Sequence, residues 1–141
     1  MLIIQSDGRK SKNERTYQRY HGSIFGLVKN ALDYTEDMRN DDAAYLDGRA
    51  VGCITCAYGP QAAGTTLVAL RSIVHALRGW PTPLGVGINS ATCRFSPKGA
   101  PSETAIADQL KIMATQVAKG AFAMRAGLAA ARKPDRLVAV A

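Results

Sequence analysis

Three groups of residues in this chain have the types and spacing to do chemistry. The first is the turn Tyr20, His21, Gly22 and Ser23, which runs directly into an amphipathic segment. Gly22 lets the backbone turn sharply and approach a ligand without a side chain in the way. Ser23 is placed to act as an N-cap, and a helix start offers amides without intrahelical partners and a positive dipole end. Together these read as a cradle for an anion or a carbonyl. His21 invites a general-base reading, but no partner within hydrogen-bonding reach is legible, and an exposed histidine is the simpler reading. The second group is the loop Ala57, Tyr58, Gly59 and Pro60, followed by Gly64. On spacing alone it reads as a strand-to-helix turn. The third is the CxxC pair Cys53 and Cys56, a spacing used by redox couples and zinc sites. Odd spacing within a strand puts the two thiols on opposite faces, so they read as packed thiols. Cys93 lies in a loop and reads as exposed. Arg71, Arg78 and Arg125 could meet a phosphate, although solvated helix faces are the blander explanation.

The elements that must position these groups follow from hydrophobic period. Residues 1–6 read as a short buried strand and Asp7 to Arg19 as a charged, aperiodic loop or disordered segment. Ile24, Leu27, Val28, Ala31 and Leu32 recur at helical spacing, in a helix starting at Ser23 and ending near Asp33 to Glu36, with Lys29 and Asp33 one turn apart opposite. Asp37 to Gly48 is a solvated connection. Ala50 to Cys56 is a near-continuous apolar run suited to a central parallel strand buried on both faces. Tyr58 to Gly64 reads as a loop, and Leu67, Val68, Leu70, Ile73, Val74 and Leu77 mark a helix from Thr65, stopped by Gly79 and Pro81. Trp80 beside Pro81 could seed a subunit contact. Leu84 to Ile88 is the next strand. After a long excursion from Ser90 to Pro101, Ser102 is placed to cap a last helix with the stripe Ile106, Leu110, Met113, Val117 and Phe122, weakening near Gly127. The alternation of strand and helix is the signature of an α/β fold with a parallel sheet.

Composition narrows the function class. The chain has 141 residues, a formal net charge of +7 and 47% hydrophobic residues, which fits one soluble domain. No apolar run approaches the ~18 residues that a membrane span needs. The opening MLIIQS is too short and too poor in basic residues for a signal peptide, so a cytoplasmic protein is expected. Three cysteines without framework spacing fit free thiols in a reducing compartment. Residues 1–48 carry seven Lys/Arg against eight Asp/Glu, leaving eleven against three for the remainder. That basic part would attract phosphate-bearing ligands. The absence of any nucleic-acid motif, or of basic residues interleaved with aromatics, points away from nucleic acid.

The stretch YHGSIFGLVKNALDY, and then GRAVGCITCAYGPQAAGTTLVALRSIVHALRGWPTPLGVGIN, resembles the NAD(P)H-dependent FMN reductase family, a branch of the flavodoxin-like fold. The resemblance covers roughly residues 20 to 125. It implies a three-layer parallel sheet with helices on both faces, lacking counterparts of the family's first two strands and of the Ser/Thr-rich loop that holds the FMN phosphate. In the flavodoxin-like strand order the ligand sits at the carboxyl ends of strands one and three. On this reading residues 1–19 are a short strand plus a charged insertion, or an unrelated leader; residues 20–130 are a partial flavodoxin-like domain; and residues 131–141 are a tail. The resemblance implies Tyr20, His21, Gly22, Ser23, Tyr58, Gly59 and Gly64 as the FMN-binding set, with no metal and no catalytic acid or base. It implies NADPH or NADH as hydride donor, a small-molecule electron acceptor, and a homodimer in which the neighbouring subunit roofs the site, with the helices from Thr65 and Ser102 as candidate contacts. The alternative reading is a shortened relative that no longer binds FMN and serves as an interaction module or is a gene remnant.

Overall fold

The computed structural model describes residues 2–5 and 23–131, with the backbone alone for 2–5 and 131. Its spine is the apolar run after Arg49. Ala50–Val51 (β2) and Cys53–Ala57 (β3) are two strand pieces divided at Gly52, and residues 51 to 55 are all buried. Successive side chains on a strand point to opposite faces, and this run obeys that rule. Val51 and Cys53 join Ile24, Leu70 and Val74 in one apolar cluster, whereas Ile54 joins Val86, Ile88, Cys93, Ile106 and Met113 in another, with Cys56 packed against it. The sheet is therefore the partition between two cores. As the spacing implied, Cys53 and Cys56 lie on opposite sides of it.

Each core is capped by helices. Gly26–Asp33 (α1), continued by a 3-10 turn over Tyr34–Met38, and Pro60–Ala76 (α2) cover one face; Thr104–Ala131 (α3) covers the other. Leu2–Gln5 (β1) pairs parallel with β3, which pairs parallel with Val86–Asn89 (β5), giving the order β1-β3-β5 with β3 in the centre. Trp80–Pro81 (β4) pairs parallel with β2. The expected layers, helices on both faces of a parallel sheet, are present. Fully burying a side chain such as Leu70, Val74 or Val86 is worth roughly 1.5–3 kcal/mol each, so the two clusters hold the layers together.

Several expected boundaries shift, each for a local reason. Ser23 is not an N-cap: α1 starts at Gly26 with Phe25 in the cap position and no side-chain cap. The buried Ile24 pulls the chain inward first, and the Phe25 carbonyl takes the amides of Val28 and Lys29. On that helix Lys29 and Asp33, one turn apart, form an ion pair. The second helix begins at Pro60 instead of Thr65, because proline at the first helical position has no amide to leave unsatisfied and a preset φ. The loop expected over Tyr58 to Gly64 thus shrinks to Tyr58 and Gly59. Residues 80–81 are strand where only a helix stop was expected, and the expected strand Leu84 to Ile88 is observed as Val86–Asn89. The last helix starts at Thr104, and the Ser102 hydroxyl instead accepts the Arg94 amide. Cys93, expected to be exposed, is 3% exposed in the α3-side core. Of the stripe on α3, Ile106 and Met113 are buried while Phe122 faces solvent, and the helix continues through Gly127.

Candidate functional site

The carboxyl ends of β3 and β5 lie side by side, since Ala57 is in register with Asn89, and the loops leaving them are tied together. Asn89 is the knot. Its Oδ1 accepts the Gly59 amide at 2.8 Å and the Ala91 amide at 3.0 Å, and the Ser90 amide donates to the Ala57 carbonyl at 2.9 Å. Arg94 donates from its guanidinium to the Ser90 carbonyl, which places a cation at the rim of the same loop. Asn89 and Arg94 were not among the residues singled out from sequence. The legible signal for Asn89 was an amide side chain at a strand end ahead of a turn, a position where Asn commonly bonds nearby backbone.

Gly59 sits at φ 112°, ψ 147°, a conformation essentially reserved for glycine. Its hypothetical Cβ would meet nothing within 4 Å, so the backbone there is open to a flat ligand. Tyr58 beside it is 68% exposed. Behind the turn, the Ala63 amide closes the first α2 bond onto the Gly59 carbonyl at 3.2 Å. The amides of Gln61 and Ala62 precede that bond and have no intrahelical acceptor, so the helix start presents two donors and a positive dipole end. The helix is seated firmly: the Thr55 hydroxyl donates to the Ala63 carbonyl at 2.8 Å.

Of the first group only Ser23, just ahead of α1, is described. Ser23 is exposed, and its carbonyl accepts a long hydrogen bond, 3.5 Å, from the Thr66 hydroxyl, which belongs to the helix that Gly59 begins. Tyr20, His21 and Gly22 lie outside the described residues. Gly64 is in the body of α2, not in the turn, and a Cβ there would also meet open space. Ser23, Tyr58 and Gly59 are thus disposed around the amino-terminal half of α2 at the carboxyl edge of the sheet, with Gly64 one turn further along the helix.

The CxxC pair takes no part. Burial pushes the Cys53 thiol up, with the nearby Arg71 charge opposing, and Arg71 itself donates to the Thr82 carbonyl at 2.5 Å. Among the described residues no cluster of His, Cys, Asp or Glu could hold a metal ion. Arg78 lies over the Tyr45 ring at 5.6 Å, away from the site.

The described donor set suits a flat heteroaromatic ring: backbone amides, an open glycine and an exposed tyrosine. A parallel sheet sandwiched between helices, with such loops meeting at its carboxyl edge, defines a flavodoxin-like α/β domain. The model of the NADPH-dependent FMN reductase family matches residues 17–92, more than half of the chain, and the chain belongs to that family. The matched span includes both turns and Asn89. Searches of curated proteins and of solved structures returned no match. Among the described residues no helix is long and apolar enough to cross a membrane.

Proposed function

We propose that this protein is a cytoplasmic flavin-dependent NAD(P)H oxidoreductase that passes electrons to a small acceptor such as free flavin, a quinone or an azo compound. The observation that supports the reading is that Ser23 and Gly59 both adjoin α2: the Ser23 carbonyl accepts a long hydrogen bond from Thr66 of the helix, and Gly59 opens it. When bound, FMN supplies the redox chemistry, accepting hydride from the nicotinamide. The chain's part is to hold and orient. Tyr20, His21, Gly22 and Ser23 would border one side of the ring, Tyr58 and Gly59 the other, with Gly64 along the same helix. The Gln61 and Ala62 amides would meet the carbonyl-bearing edge of the ring. Arg94 would hold negative charge at the rim. No side chain has to exchange a proton in hydride transfer. A second copy would roof the site, giving a homodimer.

A second reading, a relative that no longer binds FMN, is favoured by one specific feature. The Gly59 amide already has a good acceptor in Asn89, so the loop is complete without a ligand. The two readings separate in one experiment. Purified protein is mixed with FMN and NADPH while absorbance at the nicotinamide band and flavin fluorescence are followed. Quenching of flavin fluorescence with FMN-dependent NADPH consumption is the expected result. Unquenched fluorescence at saturating protein, with no consumption, would establish the non-binding relative.

A further inference from the structure

The excursion between β5 and α3 contains a small hairpin, residues 94–102, that stands beside the candidate flavin site. Its tip, Ser96, Pro97, Lys98 and Gly99, carries the residue types a type I turn favours at its first, second and fourth positions. The Gly99 amide accordingly donates to the Ser96 carbonyl at 2.8 Å, and Gly99 takes φ 81°. Below the turn Phe95 bridges Pro101 in antiparallel register. The Ser96 amide donates to the Ala100 carbonyl at 2.8 Å, and the Ser102 amide to the Arg94 carbonyl at 2.7 Å. The base of the hairpin joins the site: the Arg94 guanidinium donates to the Ser90 carbonyl, and the Ser90 amide donates to the Ala57 carbonyl, just ahead of Tyr58 and Gly59.

Opposed residues of an antiparallel pair share a face, as do alternate residues along each strand. The Phe95–Pro101 bridge therefore puts Arg94, Ser96, Ala100 and Ser102 on one face of the hairpin and Phe95 and Pro101 on the other. On the Arg94 face the polar groups are left as donors. Ser96 Oγ accepts the Ala100 amide and Ser102 Oγ the Arg94 amide, each at 3.0 Å, so each hydroxyl already accepts from the backbone and still has its proton to donate. Lys98, third in the turn, is exposed, and neither it nor Arg94 forms an ion pair among the described residues. No Asp or Glu occurs between Asp47 and Glu103, and the Glu103 carboxylate accepts the Thr92 hydroxyl at 2.8 Å.

We infer that the Arg94 face of this hairpin binds the phosphomonoester of a nucleotide held at the neighbouring site. Such a group carries roughly −1.5 to −2 charges near neutral pH and presents only acceptor oxygens while ionised. Arg94 keeps N–H donors beyond the one committed to Ser90, and its planar fork matches two phosphate oxygens side by side. The Ser96 and Ser102 hydroxyls donate to the remaining oxygen, and Lys98 adds a point charge from the turn. Two ligands of the proposed reaction carry this group: FMN on its ribityl chain, and NADPH, but not NADH, on a ribose. The inference rests on the flavin reading only for which nucleotide brings the phosphate.

The test measures the affinity of the full chain, by calorimetry, for two matched pairs that differ only in the monoester: FMN against riboflavin, and NADP+ against NAD+. The expected result is that a phosphorylated member binds roughly tenfold or more tightly than its match, and shifts the Ser96 and Lys98 amide resonances. That advantage should shrink in K98A, in R94A and at raised salt. An advantage of FMN assigns the flavin phosphate to the hairpin, and one of NADP+ alone assigns the dinucleotide's. Lys98 is exposed and unpaired, so K98A keeps the fold, which its unchanged melting temperature will show. If FMN and riboflavin bind equally and NADP+ binds no better than NAD+, the hairpin site is overturned while the flavin site stands. If neither flavin binds but NADP+ still outcompetes NAD+ and shifts the hairpin, the flavin reading fails and this one holds. An advantage that survives undiminished in both variants, or no binding of any of these ligands to the folded chain, would also overturn the proposal.

Discussion

The side chain of Asn89 reaches across thirty residues of sequence to accept the Gly59 amide at 2.8 Å, and with its second lone pair takes Ala91 at 3.0 Å. One amide oxygen thereby fixes the two loops that flank the candidate flavin site. Each such bond is worth about 1 kcal/mol net. Asn89→Ala should therefore cost roughly 1–3 kcal/mol and loosen FMN binding, whereas Asn89→Asp keeps both acceptor bonds and should recover most of the stability. Chemical denaturation of the three proteins, read beside FMN titrations, checks both parts.

Gly59 and Gly64 should respond oppositely to the same methyl group. Gly59→Ala meets no atom, but at φ 112° a side chain is strained, and the loss should be about 1–3 kcal/mol. A bulky residue there would therefore weaken the fold as well as block the ring. Gly64 lies within a helix with open space around it, so Gly64→Ala should gain about 0.5–1 kcal/mol. Urea midpoints of the two variants measure the difference.

The contrast between the two glycines shows what could and could not be read from sequence. The β-branched, near-continuous apolar run from Ala50 identified the central strand, and the strand parity of Cys53 and Cys56 settled their opposite faces, because period alone decides both. Helix starts were missed at Ser23 and Ser102, where tertiary terms won, a buried Ile24 and a hydroxyl drawn off to Arg94, and at Thr65, where the local preference of Pro60 for the first helical position was overlooked. Asn89 was invisible as a site residue because its role depends on pairing β5 beside β3, which no local window contains. The exposure expected of Cys93 failed for the same reason, since α3 covers a loop that looks open in isolation.

Cys53 should be inert in the native protein. Its thiol is buried and held above the ordinary value, so thiolate is scarce at neutral pH. An acid whose folded pKa is raised contributes stability below its unfolded pKa and loses it as pH rises through the folded value. Stability should consequently fall on the alkaline side of the ordinary thiol range, and less so in Cys53→Ala, measured relative to that variant's own neutral-pH stability. Thiol titration with and without denaturant, together with melts across alkaline pH, tests this. Mild oxidation should yield no Cys53 to Cys56 disulfide until the chain unfolds.

Tyr45 donates its hydroxyl to the Glu36 carboxylate at 3.0 Å, and that bond raises its pKa, aided by burial and by the carboxylate charge, with Arg78 and Arg39 opposing. Glu36→Gln should bring the phenol down toward its usual titration. Ultraviolet difference titration against Tyr45→Phe isolates the signal, and an unmoved midpoint would show that the bond does not form in solution.

The most direct test of the flavin site is a titration of FMN into isotopically labelled full chain, following the backbone amides of Ser23 and Gly59 together with Ala50 as a distant reference. If two turns grip one ring, Ser23 and Gly59 shift along the same saturation curve, matching the loss of flavin fluorescence, while Ala50 stays still. Movement of only one of the two, or of neither at saturating FMN, would contradict a shared ring site at the carboxyl edge of the sheet.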